Sequence, residues 1–492
     1  MRGKTYLLGS TLIAALGGLL FGFDTAVISG TTTALKQVYE LTAFGVGFTV
    51  ASALIGTIMG SIAVGTPADR IGRRRTLIVI GVLYFVSAVG TAFAWDWYSF
   101  LFFRWLGGLG VGGASVVSPM YIAEISPAAF RGRLVAITQF NIVLGVLLAF
   151  FSNYLLACLE LGAVEWRWMF GVEAFPATAF TLLLYFTPRS PRWLASQGRV
   201  DEARRVLERL GNDAQGVEQE LQSILESLDF AHHSMREPLF SRSYAKPVLL
   251  AVAIAIFNQL SGINALMYYA PHIFSMAGAD KNSALLQSVA VGGTNLVFTM
   301  LALLVIDHFG RRRLMLVGSI GYILSLGSTA FAFYRYGGRF QAVIDQGVAL
   351  EQARTAVSQQ ATESVAQVLA AAQAALDRAI ADAGLGPTIV LVSLLVFIAS
   401  HAFGQGAVIW VFISEIFPNR VRARGQALGS FTHWVMAAAI SWTFPMFAEA
   451  SGGHTFAFYA AMMVLQLLWV LTVMPETKGI PLEDIQKELG IQ

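Results

Sequence analysis

The chain contains twelve apolar stretches, each long enough to cross a lipid bilayer. About 20 apolar residues suffice, because a helix rises about 1.5 Å per residue and the hydrocarbon core is ~30 Å thick. The predicted spans cover residues 6–30, 44–67, 76–95, 98–124, 133–157, 166–187, 246–271, 283–306, 314–334, 387–413, 424–448 and 454–474. This pattern predicts an all-α integral membrane protein with twelve transmembrane helices in two six-helix halves.

Composition agrees with a membrane protein and excludes several other classes. Only 13% of the residues are charged, about half of the roughly 25% found in soluble proteins. The net charge of +3 gives no case for nucleic-acid binding. Cys158 is the only cysteine, so neither an internal disulfide nor a cysteine metal site can form. We therefore expect no metal and no cofactor.

The arginines of the connecting segments predict the orientation. They follow spans 2, 4, 8 and 10, which all end on the same side of a twelve-span arrangement. The positive-inside rule makes that side cytoplasmic. We expect a multi-pass protein of the cell membrane, with both termini in the cytoplasm. The first apolar run is too long for a secretory signal and lacks a cleavage pattern, so we expect it to be retained.

The spans and their connections divide the chain into four regions. These are an N-terminal half at 1–187, a cytoplasmic linker at 188–245, a C-terminal half at 246–475 and a cytoplasmic tail at 476–492. Within the linker, Val200, Ala203 and Leu207 recur at helical spacing, which predicts amphipathic helices beneath the membrane.

One segment, 335–386, interrupts the regular order of the C-terminal half. It is rich in Ala and Gln and carries an apolar stripe at helical spacing, but it is too polar to cross a membrane. The twelve-span arrangement places it outside the cell. We expect a helical hairpin there, for which the sequence gives no function.

The two halves repeat three loop motifs in the same order. Each half has an Asp–Gly–Arg loop, then a glutamate before an arginine pair, and then a segment that begins with proline. The first motif is Asp69–Arg75 in one half and Asp307–Arg313 in the other. The third is Pro188-Arg189-Ser190 in one half and Pro475-Glu476-Thr477 in the other. Internal repeats of this kind indicate a transporter with a substrate site between its halves.

The charged residues of these loops predict a latch. Carboxylates can bind helix N-termini and arginines can bind carboxylates with two hydrogen bonds. Such ion pairs would hold the two halves together in one conformation and break in the other. Simple anchoring by positive charge remains the better interpretation of any single arginine. The predicted latch comprises Asp69, Arg73, Glu124, Arg133, Asp307, Arg311, Glu415 and Arg424.

Asp24 is the only charged residue in the apolar part of the first span. A carboxylate at the centre of a membrane costs about 2.5–3.5 kcal/mol on insertion scales. Such a residue normally faces the protein interior or a water-filled path, and it needs a partner. Asp24 therefore predicts a functional site within the membrane.

Five motifs together resemble one known family. They are Gly18–Asp24, the two Asp–Gly–Arg loops, Ser190–Leu194, Gln259–Asn264 and Pro475–Gly479. The chain resembles the sugar porter family of the major facilitator superfamily, and within it the bacterial D-xylose–proton symporters. The resemblance runs nearly end to end, apart from the insert. It implies the major facilitator fold and import of a monosaccharide together with a proton.

The resemblance also implies roles for individual residues. Asp24 corresponds to the proton-carrying aspartate, Arg104 to its partner and Glu173 to a nearby acidic residue. The implied sugar-binding residues are Phe21, Gln139, Asn258, Gln259, Asn264, Asn295, Trp410 and His433. Amides suit this role because they both donate and accept hydrogen bonds, as sugar hydroxyls do.

The sequence departs from the family at four places. Asn258 replaces a glutamine, His433 replaces a glutamine or asparagine, Gly406-Ala407 replaces Gly-Pro before Trp410, and Arg189 replaces an acidic residue. The first two change the expected cavity, so the sugar stays open between a pentose and a hexose, with a xylose-like sugar favoured.

Two other functions remain open. A passive uniporter would use Asp24 only as a structural partner of Arg104, and a non-transporting sugar sensor would need an output domain. An enzyme is disfavoured, because the sequence has no metal-ligand cluster, nucleophile elbow or phosphate loop. The glycine run Gly107–Gly113 lies inside a span, where glycine permits close helix packing. We expect a monomer whose partners are the sugar, the proton and the lipid bilayer.

Overall fold

The computed structural model describes residues 2–127, 130–211, 214–233, 238–359, 363–418, 420–480, 485 and 489. The side chains of residues 2, 214, 228–233, 307, 356–359 and 363–366 lie outside that description. Throughout the described part the chain is helical and contains no strand.

Eleven helices among the described residues are long and apolar enough to cross a membrane. They are Gly3–Gly30, Ala43–Ala63, Arg73–Ala92, Trp97–Ile125, Arg131–Cys158, Gly162–Phe186, Arg242–Met276, Lys281–Ile306, Arg311–Thr355, Gly386–Ile416 and Gly452–Thr472. A further long helix, Arg422–Ala450, precedes the last of these. We number the twelve helices span 1 to span 12 in chain order, with Arg422–Ala450 as span 11.

Span 11 matches the predicted stretch 424–448, although it is not among the eleven most apolar helices. Its sequence includes His433 and several Gly, Ser and Thr residues, which lower its hydropathy. A span with polar side chains needs a protein or aqueous neighbour for them, so span 11 is suited to line a site.

Glycines bring spans 2 and 4 into backbone contact. A Cβ atom at Gly108 would lie 1.9 Å from the carbonyl oxygen of Ala53, and one at Gly56 would lie 2.2 Å from that of Trp105. No larger residue fits at either position without moving the backbone. This packing is the role expected for the glycine run of span 4.

Three spans are interrupted near their centres. Span 6 turns at Val172 and Glu173, between the helices Glu165–Gly171 and Ala174–Leu183. Span 10 contains a π-helical turn, Ala402–Gly406, a feature often found at functional sites. Span 7 is described next.

Span 7 consists of two helices, Ala245–Leu260 and Ile263–Met276. Gly262 joins them with a left-handed φ of +84°, and a Cβ atom there would lie 2.8 Å from the ring of Tyr459. Both the backbone angle and the close contact require glycine. The break places the polar residues of both helices on the same side.

Span 9 is much longer than predicted. Its helix runs unbroken from Arg311 to Gln359, over 49 residues, which is about 73 Å at the helical rise. The predicted end at residue 334 lies inside this helix. The helix Glu363–Ala383 packs back against it, and Arg339 donates to the carbonyl oxygen of Asp382 at 2.9 Å.

The linker forms the predicted amphipathic helices, at Pro191–Ser196, Val200–Arg209 and Ala214–His233. Their apolar faces bury Leu194, Leu207 and Leu221 against one another. Shorter helices, Thr32–Val38 and Gly65–Ile71, connect spans 1 to 2 and 2 to 3.

Candidate functional site

Asp24 and Arg104 form a buried ion pair between spans 1 and 4. The Arg104 Nη1 atom donates to Asp24 Oδ1 at 2.6 Å, and Nη2 donates to the Asp24 carbonyl oxygen at 3.3 Å. The guanidinium also lies over the ring of Phe170, 5.4 Å from its centroid. Both charged residues are at most 2% exposed. In these surroundings each charge depends on the other, because removal of either would leave the second unpaired.

Glu173 lies at the turn of span 6, beside this pair. Its side chain is buried, and Oε1 has no hydrogen-bond partner among the described residues. Both Asp24 and Arg104 are close enough to interact electrostatically with it. If both carboxylates were ionised, the cluster would carry a net negative charge in an apolar environment. One proton cancels that charge, so the arrangement has the chemistry of a proton-binding site.

Gln259 is the centre of a hydrogen-bonded amide cluster in the C-terminal half. Its Nε2 atom donates to Asn258 Oδ1 at 2.8 Å, and its Oε1 atom accepts from Asn264 Nδ2 at 2.8 Å. The same Nε2 lies 3.2 Å from His433 Nδ1. The cluster thus joins the two helices of span 7 to span 11. These groups both donate and accept, which suits a ligand with many hydroxyl groups.

Aromatic rings surround one side of the amide cluster. The centroids of Trp410 and Trp434 lie 5.2 Å and 5.0 Å from that of His433. Phe21, from the other half, lies 5.8 Å from Trp434. Sequence reasoning missed Trp434, whose only signal was its position next to His433. The site therefore lies where the two halves meet.

Two predicted binding residues stay apart from this cluster. Gln139 on span 5 and Asn295 on span 8 are half-buried. Asn295 accepts a hydrogen bond from Thr299, one turn further along its own helix, at 3.3 Å. Neither amide bonds to another predicted site residue in the part of the chain that the structure describes.

The loop motifs form the same arrangement in each half. Arg73 binds Glu124 at 3.0 Å, and the Ser190 hydroxyl donates to the other oxygen of that carboxylate at 2.5 Å. Asp69, near the end of the short helix Gly65–Ile71, binds Arg73 at 2.9 Å across the non-helical residue Gly72. The sequence repeat is therefore also a repeat of contacts.

In the C-terminal half, Arg311 binds Glu415 at 2.7 Å and the Thr477 hydroxyl donates to Glu415 at 2.6 Å. Each ion pair joins helices of one half, so in this conformation neither pair holds the two halves together, in contrast to the predicted latch. The reason is that each arginine begins a helix that packs beside its own glutamate. Arg133 is exposed and Arg424 half-buried, while the side chain of Asp307 lies outside the described residues.

The halves instead meet at the opposite ends of the spans. There Lys36 binds Glu449 at 2.5 Å, and Glu165 binds Lys281 at 2.7 Å. A Cβ atom at Gly47 would lie 1.9 Å from the carbonyl oxygen of Trp442, so spans 2 and 11 touch through their backbones. We call this the closed end of the protein, and the end with the arginine loops the basic end.

The fold and the buried site together define a membrane transport protein of one family. The model of the family described as "Sugar (and other) transporter" matches residues 10–342 and 364–489. The chain therefore belongs to the sugar transporter family, as the sequence motifs predicted, and is a multi-pass membrane transporter rather than an enzyme.

Individual relatives cover almost the whole chain. The D-xylose-proton symporter of Escherichia coli is 36% identical, over 98% of this chain and 96% of that protein. The arabinose-proton symporter of Bacillus subtilis is 33% identical, over 96% and 93%. A solved structure of the xylose transporter XylE from E. coli, in a partially occluded inward-open conformation, superposes with a TM-score of 0.78. It is 34% identical and covers 97% of this chain and all of that one.

Proposed function

We propose that this protein is a symporter that imports a monosaccharide together with a proton. The observation that carries the proposal is the buried pair Asp24–Arg104 with the second carboxylate of Glu173 beside it. Relatives described as proton symporters for xylose and arabinose support the coupling and favour a pentose. A passive uniporter is the main alternative, and in it the pair would serve only packing.

Proton coupling follows from the geometry of the pair. While Asp24 is ionised it binds Arg104 and favours one conformation. Protonation of Asp24 removes the charge that holds the guanidinium, and the conformations then differ less in free energy. One elementary charge moving through 100 mV is worth about 2.3 kcal/mol, which corresponds to about a fiftyfold sugar gradient. One proton per sugar is therefore sufficient for strong accumulation.

The sugar binds at the amide cluster in this proposal. Gln259, Asn258, Asn264 and His433 at present satisfy one another. A bound sugar exchanges some of these bonds for bonds to its own hydroxyls, and Trp410 or Trp434 packs against its C–H face. Gln139 and Asn295 complete the site from spans 5 and 8.

We also propose which side of the membrane each end of the protein faces. We assign the basic end, with both termini, the linker and the tail, to the cytoplasm, and the hairpin of span 9 to the outside. With the closed end outward, the structure faces inward. The similarity to an inward-open structure supports this assignment. We further propose that the protein acts as a monomer in the cell membrane.

The deciding experiment records external pH in lightly buffered proteoliposomes as D-xylose, L-arabinose and D-glucose are added in turn. Alkalinisation with one sugar establishes symport and identifies the substrate. Entry of a labelled sugar without any pH change would refute symport and establish the uniporter.

A further inference from the structure

Tyr84 on span 3 is a fully buried tyrosine whose hydroxyl has no hydrogen-bond partner among the described residues. A buried phenol normally donates to an acceptor, because its desolvation is otherwise uncompensated. The unpaired hydroxyl therefore calls for a partner that it meets in another state of the protein.

Packing places Tyr84 beside the proton-coupling residues. A Cβ atom at Gly110 of span 4, six residues from Arg104, would lie 3.6 Å from the Tyr84 ring. On the other side, Gly81 faces Thr181 and Ala92 faces Gly171. Spans 3 and 6 run antiparallel, so Tyr84 lies level with the middle of the helix Ala174–Leu183, about one and a half helical turns from Glu173 toward the basic end.

The depth of Tyr84 in the membrane is also informative. A Cβ atom at Gly107 would touch both Ser87 Oγ and Asp24 Oδ1, which sets the level of Asp24 on span 3. Tyr84 is one helical turn from Ser87 toward the basic end. It therefore lies between the Asp24 carboxylate and the end of the protein through which the proton would leave.

The charges around Tyr84 come from three neighbouring spans. Asp24 on span 1 and Glu173 on span 6 both interact electrostatically with its hydroxyl, and Arg104 lies on span 4. Tyr268 approaches the cluster from span 7 of the other half. Among these groups, Asp24 Oδ1 is occupied by Arg104, whereas Glu173 Oε1 is buried and has no partner in the part of the chain that the structure describes.

We propose that Tyr84 is a positioning residue of the proton-coupling site, whose hydroxyl donates a hydrogen bond to Glu173 Oε1 when that carboxylate is ionised. The bond stabilises the ionised form and so promotes release of the proton toward the basic end. The inference rests on the proposed symport and adds a residue from span 3 to its machinery.

The test measures counterflow of D-xylose in proteoliposomes at a series of pH values. Counterflow needs the protonated, sugar-loaded protein but no net proton movement, so variants that cannot accumulate sugar can still be compared. Tyr84→Phe removes only the hydroxyl. Without it the site keeps its proton to higher pH, and the pH at half-maximal exchange rises by about one unit, the size expected for one hydrogen bond to a charged group.

A double variant separates this role from simple packing. In the Glu173→Gln background the proposed acceptor carboxylate is gone while Asp24 remains, so the further change Tyr84→Phe leaves the midpoint where it was. Tyr121→Phe is the matched control, because it removes another buried phenol of the same half, one that donates to Pro188 at 2.6 Å, and it does not move the midpoint.

Each of the other outcomes overturns the inference. An unchanged midpoint in Tyr84→Phe shows that the hydroxyl does not act on the proton site. A shift that persists in the Glu173→Gln background shows that Glu173 is not its acceptor. The wild-type protein tests the symport proposal separately. If it still alkalinises the medium when sugar is added, symport stands even though the role of Tyr84 is refuted. If it gives no such signal, symport and the role of Tyr84 are both refuted.

Discussion

Arg104 has the largest side chain of the described residues that are less than 2% exposed, and its charge is paired with the Asp24 carboxylate. Burial of two charges is costly, and their mutual attraction offsets the cost only with good geometry. The hydrogen bond of 2.6 Å meets that condition. The pair is thus stable when intact and strongly responsive to one added proton.

Asp24→Asn is expected to abolish accumulation of sugar against a gradient and to leave some exchange. The amide retains the shape of the carboxylate but cannot take up a proton. Uptake of labelled sugar into energised vesicles measures accumulation, and counterflow measures exchange. Asp201→Asn, at a carboxylate whose side chain is 92% exposed in the linker, is the matched control. Undiminished accumulation in Asp24→Asn would exclude it as the proton carrier.

Gln259→Ala is expected to raise the KM for sugar by about 10- to 100-fold, because the loss of hydrogen bonds to a bound hydroxyl costs about 1–3 kcal/mol. Initial uptake rates at a range of sugar concentrations give the value. Gln222→Ala, on the exposed face of the linker, should leave KM unchanged. An equal KM in both variants would move the sugar site away from the amide cluster.

Some of these residues could be recognised from sequence and others could not. Asp24 is visible because a lone charge in an apolar span is costly, and motif resemblance supplied Arg104. Trp434 was missed, since a tryptophan in a span can equally face lipid and its position next to His433 does not show which way the ring points. The loop pairs Arg73–Glu124 and Arg311–Glu415 were expected to join the two halves but lie within one half each, because sequence shows which charges share a side of the membrane but not which helices pack together.

Helix ends in the two halves are capped differently, although the loops repeat. Glu476 accepts hydrogen bonds from the backbone N–H groups of Arg311 and Arg312, at 2.9 and 3.1 Å, where span 9 begins. The repeat puts Arg189 at the corresponding place near the start of span 3, and its side chain instead lies 4.0 Å from Glu202. Of spans 3 and 9, it is therefore span 9 that gains this carboxylate at its positive end.

Glu476→Gln is therefore expected to destabilise the protein by about 1 kcal/mol, the typical value of a helix cap with its charge. Thermal unfolding in detergent measures the loss. Arg189→Gln, the matched position of the other half, has no cap to lose and should change the unfolding temperature less. Equal effects at the two positions would contradict the capping role.

Asp280 provides a second cap, at the start of span 8 and outside the membrane. Partial burial alone would raise the pKa of its carboxyl, but hydrogen bonds from Ser283 and from the N–H of Asn282 outweigh burial, and the pKa is lowered. Because the pKa is lower in the folded protein, the ionised cap stabilises the fold at pH values above the unfolded-state pKa of about 3.9. This stabilisation is lost as the pH falls through the pKa of the folded state. Asp280→Asn should flatten the acid dependence of the unfolding temperature, and a variant with the wild-type dependence would contradict this.

At the scale of the whole molecule, the hydropathy pattern predicted the number and order of the spans, and the repeat predicted two halves. Neither pattern could predict which end is closed, because the inward-facing and outward-facing conformations of a transporter contain the same spans. That choice depends on contacts between residues far apart in sequence, such as Lys36 with Glu449. The length of span 9 was also hidden, because hydropathy marks where a helix leaves the membrane and not where it ends.

Lys36→Glu is expected to favour opening of the closed end by replacing attraction to Glu449 with repulsion. The effect is modest, a few-fold in population, because both side chains are nearly half exposed and such pairs contribute at most about 1 kcal/mol. Opening can be measured as the rate at which a thiol reagent alkylates the variant Ala149→Cys, because Ala149 on span 5 is fully buried in this conformation. The change Cys158→Ser removes the native cysteine from the background. The charge swap Lys36→Glu/Glu449→Lys should restore slow alkylation, and equally fast alkylation in the swap would refute the pair.

The unbroken helix of span 9 has a practical consequence for imaging. A 53.2 kDa protein that lies mostly within a detergent belt offers few landmarks from which to determine the orientation of a particle. The part of the helix beyond residue 334 adds about 37 Å of rigid rod outside the belt. Because the rod is continuous with a span and has no hinge, it should serve as a built-in marker for particle alignment in electron cryomicroscopy.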